Sequence, residues 1–208
     1  MRRTCGAAVV SVRAVVAFIV TSAVFAVSPC ALAQQSPAEV FTFNPSATRV
    51  AFTLAATLHT VEGTMNLKSG QIRFDPASGA ASGEVIVDAT SAETGNKSRD
   101  RRMHKEILQS ARYPQIVFTA QRLIGTIQPL GTSQVQLSGI FELEGRQHPM
   151  TLSVNVAREA GNSSMHATAA FAVPYVQWGV KNPSTLFLRV SDHLNMTIDA
   201  TGQLTPAR

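Results

Sequence analysis

The chain has 208 residues, 18 Lys+Arg against 13 Asp+Glu, a formal charge of +5, and two cysteines. That length suits one domain with a sizeable core. Cys5 and Cys30 both fall in the first thirty residues, so the body of the chain has no thiol for a disulfide, a thiolate-bound metal or a nucleophile.

The chain opens with "MRRTCGAAVVSVRAVVAFIVTSAVFAVSPCALAQQ". Arg2 and Arg3 precede an apolar run to Val27, and Ala31-Leu32-Ala33 gives a small-x-small exit. This order describes a secretory signal peptide cleaved after Ala33. Arg13 interrupts the run and argues against a membrane anchor. Pro29 stands before Cys30 where a lipoprotein signal needs a small residue. Cleavage would leave a single domain over residues 34–208. It would remove three arginines and no acid, lowering the charge from +5 to +2. A general affinity for polyanions is then not implied.

From Phe41 onward most segments alternate with period two, the pattern of half-buried antiparallel strands. Turn-rich stretches separate them: "NPSAT", "DPASGAASG", "EGRQHP" and "EAGNSS". Parity places Phe43, Phe52 and Leu54 inward near the start. The stretch "TSAETGNKSRDRRMHKEILQSARYP" breaks the period. There the sequence predicts a short amphipathic helix with Asn96 or Ser98 as N-cap, and Met103, Ile107, Leu108 and Ala111 on one side. Tyr113-Pro114 returns the chain to a strand carrying Ile116 and Phe118.

Beyond it, Val135, Leu137, Gly139, Phe141 and Leu143 share one face, with Gln134, Gln136, Ser138, Glu142 and Glu144 opposite. Met150, Leu152, Val154 and Val156 form the next apolar face. Met165, Ala167, Ala169, Phe171 and Val173 form another, and Leu194, Met196 and Ile198 close the series. Eight or more strands with hairpin connections predict an all-β fold, split into a sandwich or closed into a barrel. The inserted helix would cover one end.

Small residues at inward positions, Gly63, Gly139, Ala167 and Ala169, stand beside Phe52, Phe118, Phe141 and Phe171. Either the rings fill the space the small residues leave, or the strands enclose an apolar tube suited to a long ligand.

Reactive chemistry is sparse. The five histidines, His59, His104, His148, His166 and His193, show no H-x-H, H-x-x-x-H or H-E-x-x-H spacing, so no metal site is expected. No nucleophile elbow or phosphate-cradling glycine loop appears, and no cofactor is implied. The basic cluster around Arg99 and Arg101 lacks aromatic platforms and a groove-reading motif, so nucleic acid is not an expected partner. It reads either as a solvated helix face with Arg–carboxylate pairs or as a mouth attracting an anionic head group.

The segment "VIVDATSAETGNKSRDRRMHKEILQSARYPQIVF" resembles the signature region of the YceI-like family. The shared features are Val85, Val87, Ala89 and Ser91, then Thr94-Gly95-Asn96, Arg99-Asp100, and Tyr113-Pro114 with Ile116 and Phe118. "LSGIFELEGRQHPMTLSV" is similar to the family's G-x-L-x-L-x-G turn and following strand, with Phe141 at the first leucine. "RVAFTLAATLHTVEGTM" is similar to its early motif, with Met65 replacing the last Phe. The similarity runs from about Phe41 to Leu204.

The resemblance implies an extended, lipocalin-like antiparallel β-barrel exported to the periplasm. It implies a long amphiphile within the barrel, such as a polyisoprenoid, isoprenoid quinone or fatty amide, for transport or storage. It does not imply an enzyme. Many members carry an Arg where Tyr175 stands ahead of Trp178-Gly179, so a neutral head group is expected here. The expected ligand-lining residues are Phe43, Phe52, Leu54, Phe118, Gly139, Phe141, Leu152, Ala169, Phe171 and Trp178. Arg99, Asp100, Met103 and His104 are expected at the lid or head group. Transient membrane contact fits this reading, and the oligomeric state is open. The rival readings are an envelope partner-binding module with a filled barrel, and a lipid-ester hydrolase using His104 beside Asp100.

Overall fold

Strands that bury every second residue need a common interior, and here they obtain it by closing a ring. The computed structural model describes residues 37–207 except 160, 162 and 187. The expected leader, 1–33, lies outside the described residues.

Among the described residues nine antiparallel strands follow one another: β1 Glu39–Phe43, β2 Arg49–Ala55, β3 Thr60–Phe74, β4 Ala81–Glu93, β5 Gln115–Ile124, β6 Gly131–Leu143, β7 Arg146–Arg158, β8 Ser164–Val173 and β9 Leu194–Pro206. They form a barrel, because β3 pairs with β4 and β1 with β9 in addition to the linear order. β1 and β2 lie end to end between β3 and β9, so nine strands fill an eight-membered ring. Between them Pro45–Ala47 makes one 3-10 turn, and the Asn44 side chain accepts the Ser46 N–H at its start.

The inward positions follow the alternation. Val135, Leu137, Gly139, Phe141 and Leu143 are all buried on β6. Ile140, the one apolar exception, faces outward opposite Pro149. Glu144 departs from the expectation. The alternation puts it on the outer face, but β6 ends at Leu143 and Glu144-Gly145 make a two-residue hairpin. Both have positive φ, 49° and 69°, as a primed turn requires. Glu144 is buried there under Gln109, whose side-chain amide donates to it.

The helix is shorter than expected and changes pitch. α1 spans Lys97–Arg102, with Asn96 as N-cap accepting the N–H groups of Ser98 and Arg99. A π-helical turn follows over Met103–Ile107, closed by the Leu108 N–H to the Met103 carbonyl at 2.8 Å. The wider turn keeps Met103, Ile107 and Leu108 on one side. Gln109, at φ 44°, then ends the helical path, so Ala111 is exposed rather than on the apolar side.

One wall is incomplete. β7 pairs with β8 only from Val154 to Arg158. Its first half, beginning at Arg146, pairs with β6. The turn after β8 enters this wedge, and the Trp178 indole stacks on His148 of β7 while also touching Phe141.

Candidate ligand-binding site

The barrel interior holds two apolar chambers. The lower one, about 110 Å³, lies where β1 closes the ring and is bordered by Phe41, Phe74, Leu137, Met165 and Ala200 among others. Thr168 is its one polar neighbour. The upper chamber, about 290 Å³, lies beneath the helix and the segment after β8. Met103, Ile107 and Leu108 roof it, and Leu143, Val173 and Tyr175 form its sides. Its border includes the exposed His59 and Arg102, so this chamber reaches solvent. Ile116, Phe141 and Met196 border both chambers and form a waist between them.

The rings leave this space open by lying against glycines in the wall. A Cβ on Gly63 would sit 2.2 Å from the Phe52 ring, and one on Gly139 2.8 Å from that of Phe118. Gly70 seats Phe43 and Gly202 seats Phe41 in the same way. Both sequence-based readings therefore apply, at different positions. At Gly63 and Gly139 a ring fills the space. Ala167 and Ala169 instead border the lower chamber.

The expected lining residues divide accordingly. Phe43, Phe118, Leu152, Ala169 and Phe171 border the lower chamber, Phe52 and Leu54 the upper, and Phe141 both. Gly139 borders neither, because the Phe118 ring and the Thr119 carbonyl occupy the place of its side chain. Trp178 also borders neither. It seals the wedge between β7 and β8 from outside the chambers, where Arg146 donates to its carbonyl at 3.0 Å. Parity alone would have found Ile116 and Met196, which share their strands' apolar faces. Leu188 and Val190, on an aperiodic segment, carried no such signal.

The lid residues divide too. Arg99 and Met103 border the upper chamber, and Asp100 and His104 do not. The Thr94 hydroxyl joins Arg99 to Asp100. It donates to the Asp100 carboxylate and accepts from Arg99 Nε at 2.7 Å. Arg99 Nη2 also donates to the Thr94 carbonyl at 2.8 Å, and Asp100 accepts the Thr94 N–H. His104 spans Ser110 Oγ and the Ala92 carbonyl, both at 2.9 Å. The carbonyl can only accept, so Nε2 carries a proton and donates to it. Asp100 is thus engaged by Thr94 and does not meet the imidazole. These groups tie the helix to the end of β4.

Arg102 pairs with Glu106, which also accepts from Lys181 at 2.7 Å, and these cations hold the Glu106 carboxyl below its ordinary range. Burial pushes the Glu144 carboxyl up. Tyr175 is buried, donates to the Ser191 carbonyl at 2.6 Å, and has its pKa pushed up to about 12, chiefly by burial. It is a neutral polar group on the upper chamber wall. Among the described residues no three of His, Cys, Asp and Glu gather as metal ligands, and no helix is long and apolar enough to cross a membrane.

Residues 41–202 match a family described as YceI-like domain. No curated protein matches the chain. Among solved structures, Burkholderia cenocepacia BcnA is 17% identical with a TM-score of 0.63, covering 76% of this chain and 98% of its own. A polyisoprenoid binding domain from Saccharophagus degradans, implicated in plant cell wall breakdown, is 13% identical with a TM-score of 0.59, covering 79% and 98%. The Campylobacter jejuni YCEI protein is 20% identical with a TM-score of 0.54, covering 73% and 88%.

Proposed function

The chain belongs to the YceI-like domain family, and we propose that it binds a long apolar amphiphile of the polyisoprenoid, isoprenoid quinone or fatty amide type inside the barrel. The observation that carries this is the pair of apolar chambers that share a border of three side chains. The polyisoprenoid binding domain of like fold supports the ligand class.

Magnitudes make the reading workable. Each buried methylene contributes about 0.8 kcal/mol, so three isoprene units contribute roughly 12 kcal/mol gross. That is comparable with the ~4–15 kcal/mol cost of association. An apolar cavity of ~150 Å³ holds one benzene-sized group. The chambers as they stand hold only a few such groups, so a longer chain would need the waist to move or its end to leave the upper chamber.

The head group would sit at the upper border. Arg99 is committed to Thr94, and Arg102 to Glu106. Tyr175 supplies a hydroxyl and no charge. This favours a neutral head group, a quinone or amide, over a diphosphate. His104 and Asp100 are held in separate structural hydrogen bonds, which removes the candidate pair of a lipid-ester hydrolase and supports binding as the role.

The N-terminal pattern supports export to the periplasm, with a mature chain starting at Gln34. There a nearly insoluble lipid needs a carrier, and intact-mass measurement would test the start. The deciding experiment is gentle purification, organic extraction and mass spectrometry. A stoichiometric polyprenyl or acyl compound is expected. Protein repeatedly free of lipid, and unable to take up a ubiquinone from detergent, would overturn the reading.

A further inference from the structure

Two loops near the border of the upper chamber end in leucines that the fold does not use. Ala56 N donates to the His59 carbonyl and closes one tight turn, with Leu58 near its tip at 79% exposure. Thr185 N donates to the Leu188 carbonyl and closes a second, with Leu186 at 95% exposure. Such tips ordinarily carry Gly, Asn, Asp or Ser, which suit turn backbones and hydrogen-bond to them, and a leucine left in water there contributes no burial to the fold.

The two loops are one unit. Thr57 N donates to the Arg189 carbonyl at 2.9 Å, Arg189 N donates to Thr57 Oγ1 at 3.2 Å, and Ala56 pairs with Val190. The same segments supply Ala56, His59, Leu188 and Val190 to the chamber border. Arg189 is exposed between the tips, and among the described residues no carboxylate lies within ion-pair distance of it. Glu62 and Asp192 are the nearby exposed acids in sequence, and Asp192 is engaged by His193.

We propose that this end of the barrel docks on a lipid bilayer carrying anionic head groups, with Leu58 and Leu186 inserted and Arg189 at head-group level. Apolar tips with a cation on the segment that joins them match the two layers a membrane surface presents, an acyl boundary beneath a negative plane. The docked pose sets the solvent-reaching chamber against the bilayer, so an amphiphile passes between them without crossing water. This purpose rests on the lipid-binding reading above; the docking itself rests on the loop tips.

Vesicle co-sedimentation tests it, with phosphatidylcholine vesicles compared with phosphatidylethanolamine–phosphatidylglycerol vesicles. Wild type is expected to pellet with the anionic vesicles. Leu58→Ser and Leu186→Ser should each lower partitioning about tenfold. Arg189→Gln should weaken binding to the anionic vesicles alone. Leu130→Ser is the control. Leu130 is 60% exposed on the β5–β6 connection, whose Ile127 borders the lower chamber, and its substitution should change nothing. All variants share one N-terminus, so differences between them report the tips. Wild type remaining in the supernatant with both vesicles, a double tip variant binding as wild type, or Leu130→Ser losing binding equally would each overturn the proposal. Lipid extraction from the same samples separates the two readings. Vesicle binding without retained lipid sinks only the cavity reading, and retained lipid without vesicle binding sinks only the docking.

Discussion

The Trp178 indole lies on the His148 imidazole with centroids 4.2 Å apart and planes 3° apart. His148 Nε2 is buried without a hydrogen-bond partner. Desolvation, with Arg146 nearby, lowers the His148 pKa below its ordinary value of 6.5. The folded protein therefore disfavours the protonated imidazole, while the unfolded chain takes up a proton near pH 6.5. Between the two pKa values the unfolded state binds more protons, so stability falls as pH falls. Melting temperature should decline from pH 7 to pH 5 in wild type, and less steeply in His148→Phe, which keeps an aromatic platform for Trp178. Parallel pH profiles would rule this out.

The Thr94–Arg99–Asp100 network joins the end of β4 to the helix and lies beside the upper chamber. Asp100→Ala removes the acceptor of two hydrogen bonds from Thr94. Losing such charged hydrogen bonds costs about 2 kcal/mol, or a melting shift of about 4–8 °C at this size. Retained lipid per folded molecule should be unchanged, since Asp100 does not border the chambers. Unaltered stability with lost lipid would make Asp100 a ligand contact.

Much of the fold was legible because a half-buried strand writes itself as period two. The inward faces of β6, β8 and β9 follow that alternation residue by residue. The departures share one cause, which is that a neighbour decides them. Glu144 obeyed the alternation in sequence, but β6 stops one residue earlier, at a turn that requires positive φ. Ala111 kept helical spacing, but the π turn and Gln109 end the helix first. Gly139 has the expected parity, yet parity does not reveal that the Phe118 ring and the Thr119 carbonyl of the strand beside it occupy its side-chain place. The segment from Pro174 to Asp192 has no period at all. Tyr175 was visible only as a departure from the family pattern.

Phe141 is the largest side chain at the waist, buried and in edge contact with Phe171. Phe141→Ala should merge the chambers at a cost of about 3–5 kcal/mol. If the waist limits ligand length, extracted lipid should shift to longer chains, or uptake of a long-chain ubiquinone should rise relative to a short one. Unchanged chain-length preference in a folded variant would mean that the ligand does not pass the waist.

Gly139 and Ala169 have the same inward parity but opposite surroundings, and comparing them tests whether the lower chamber holds ligand. A Cβ at Gly139 would meet the Thr119 carbonyl oxygen at 2.2 Å and the Phe118 ring at 2.8 Å. Backbone must therefore move, and Gly139→Ala should cost about 1–3 kcal/mol by overpacking. Gly139 itself borders no chamber, but the Phe118 ring it presses on borders the lower one, so lipid per folded molecule should fall far less than in Ala169→Phe. Ala169 borders the lower chamber of about 110 Å³. An added ring there has space to enter, so Ala169→Phe should cost less stability than its size suggests and should sharply reduce retained lipid. Melting curves and lipid extraction for both variants separate the effects. Should Ala169→Phe melt far lower and still carry a full complement of lipid, the lower chamber is packing slack, and the ligand is confined above the waist.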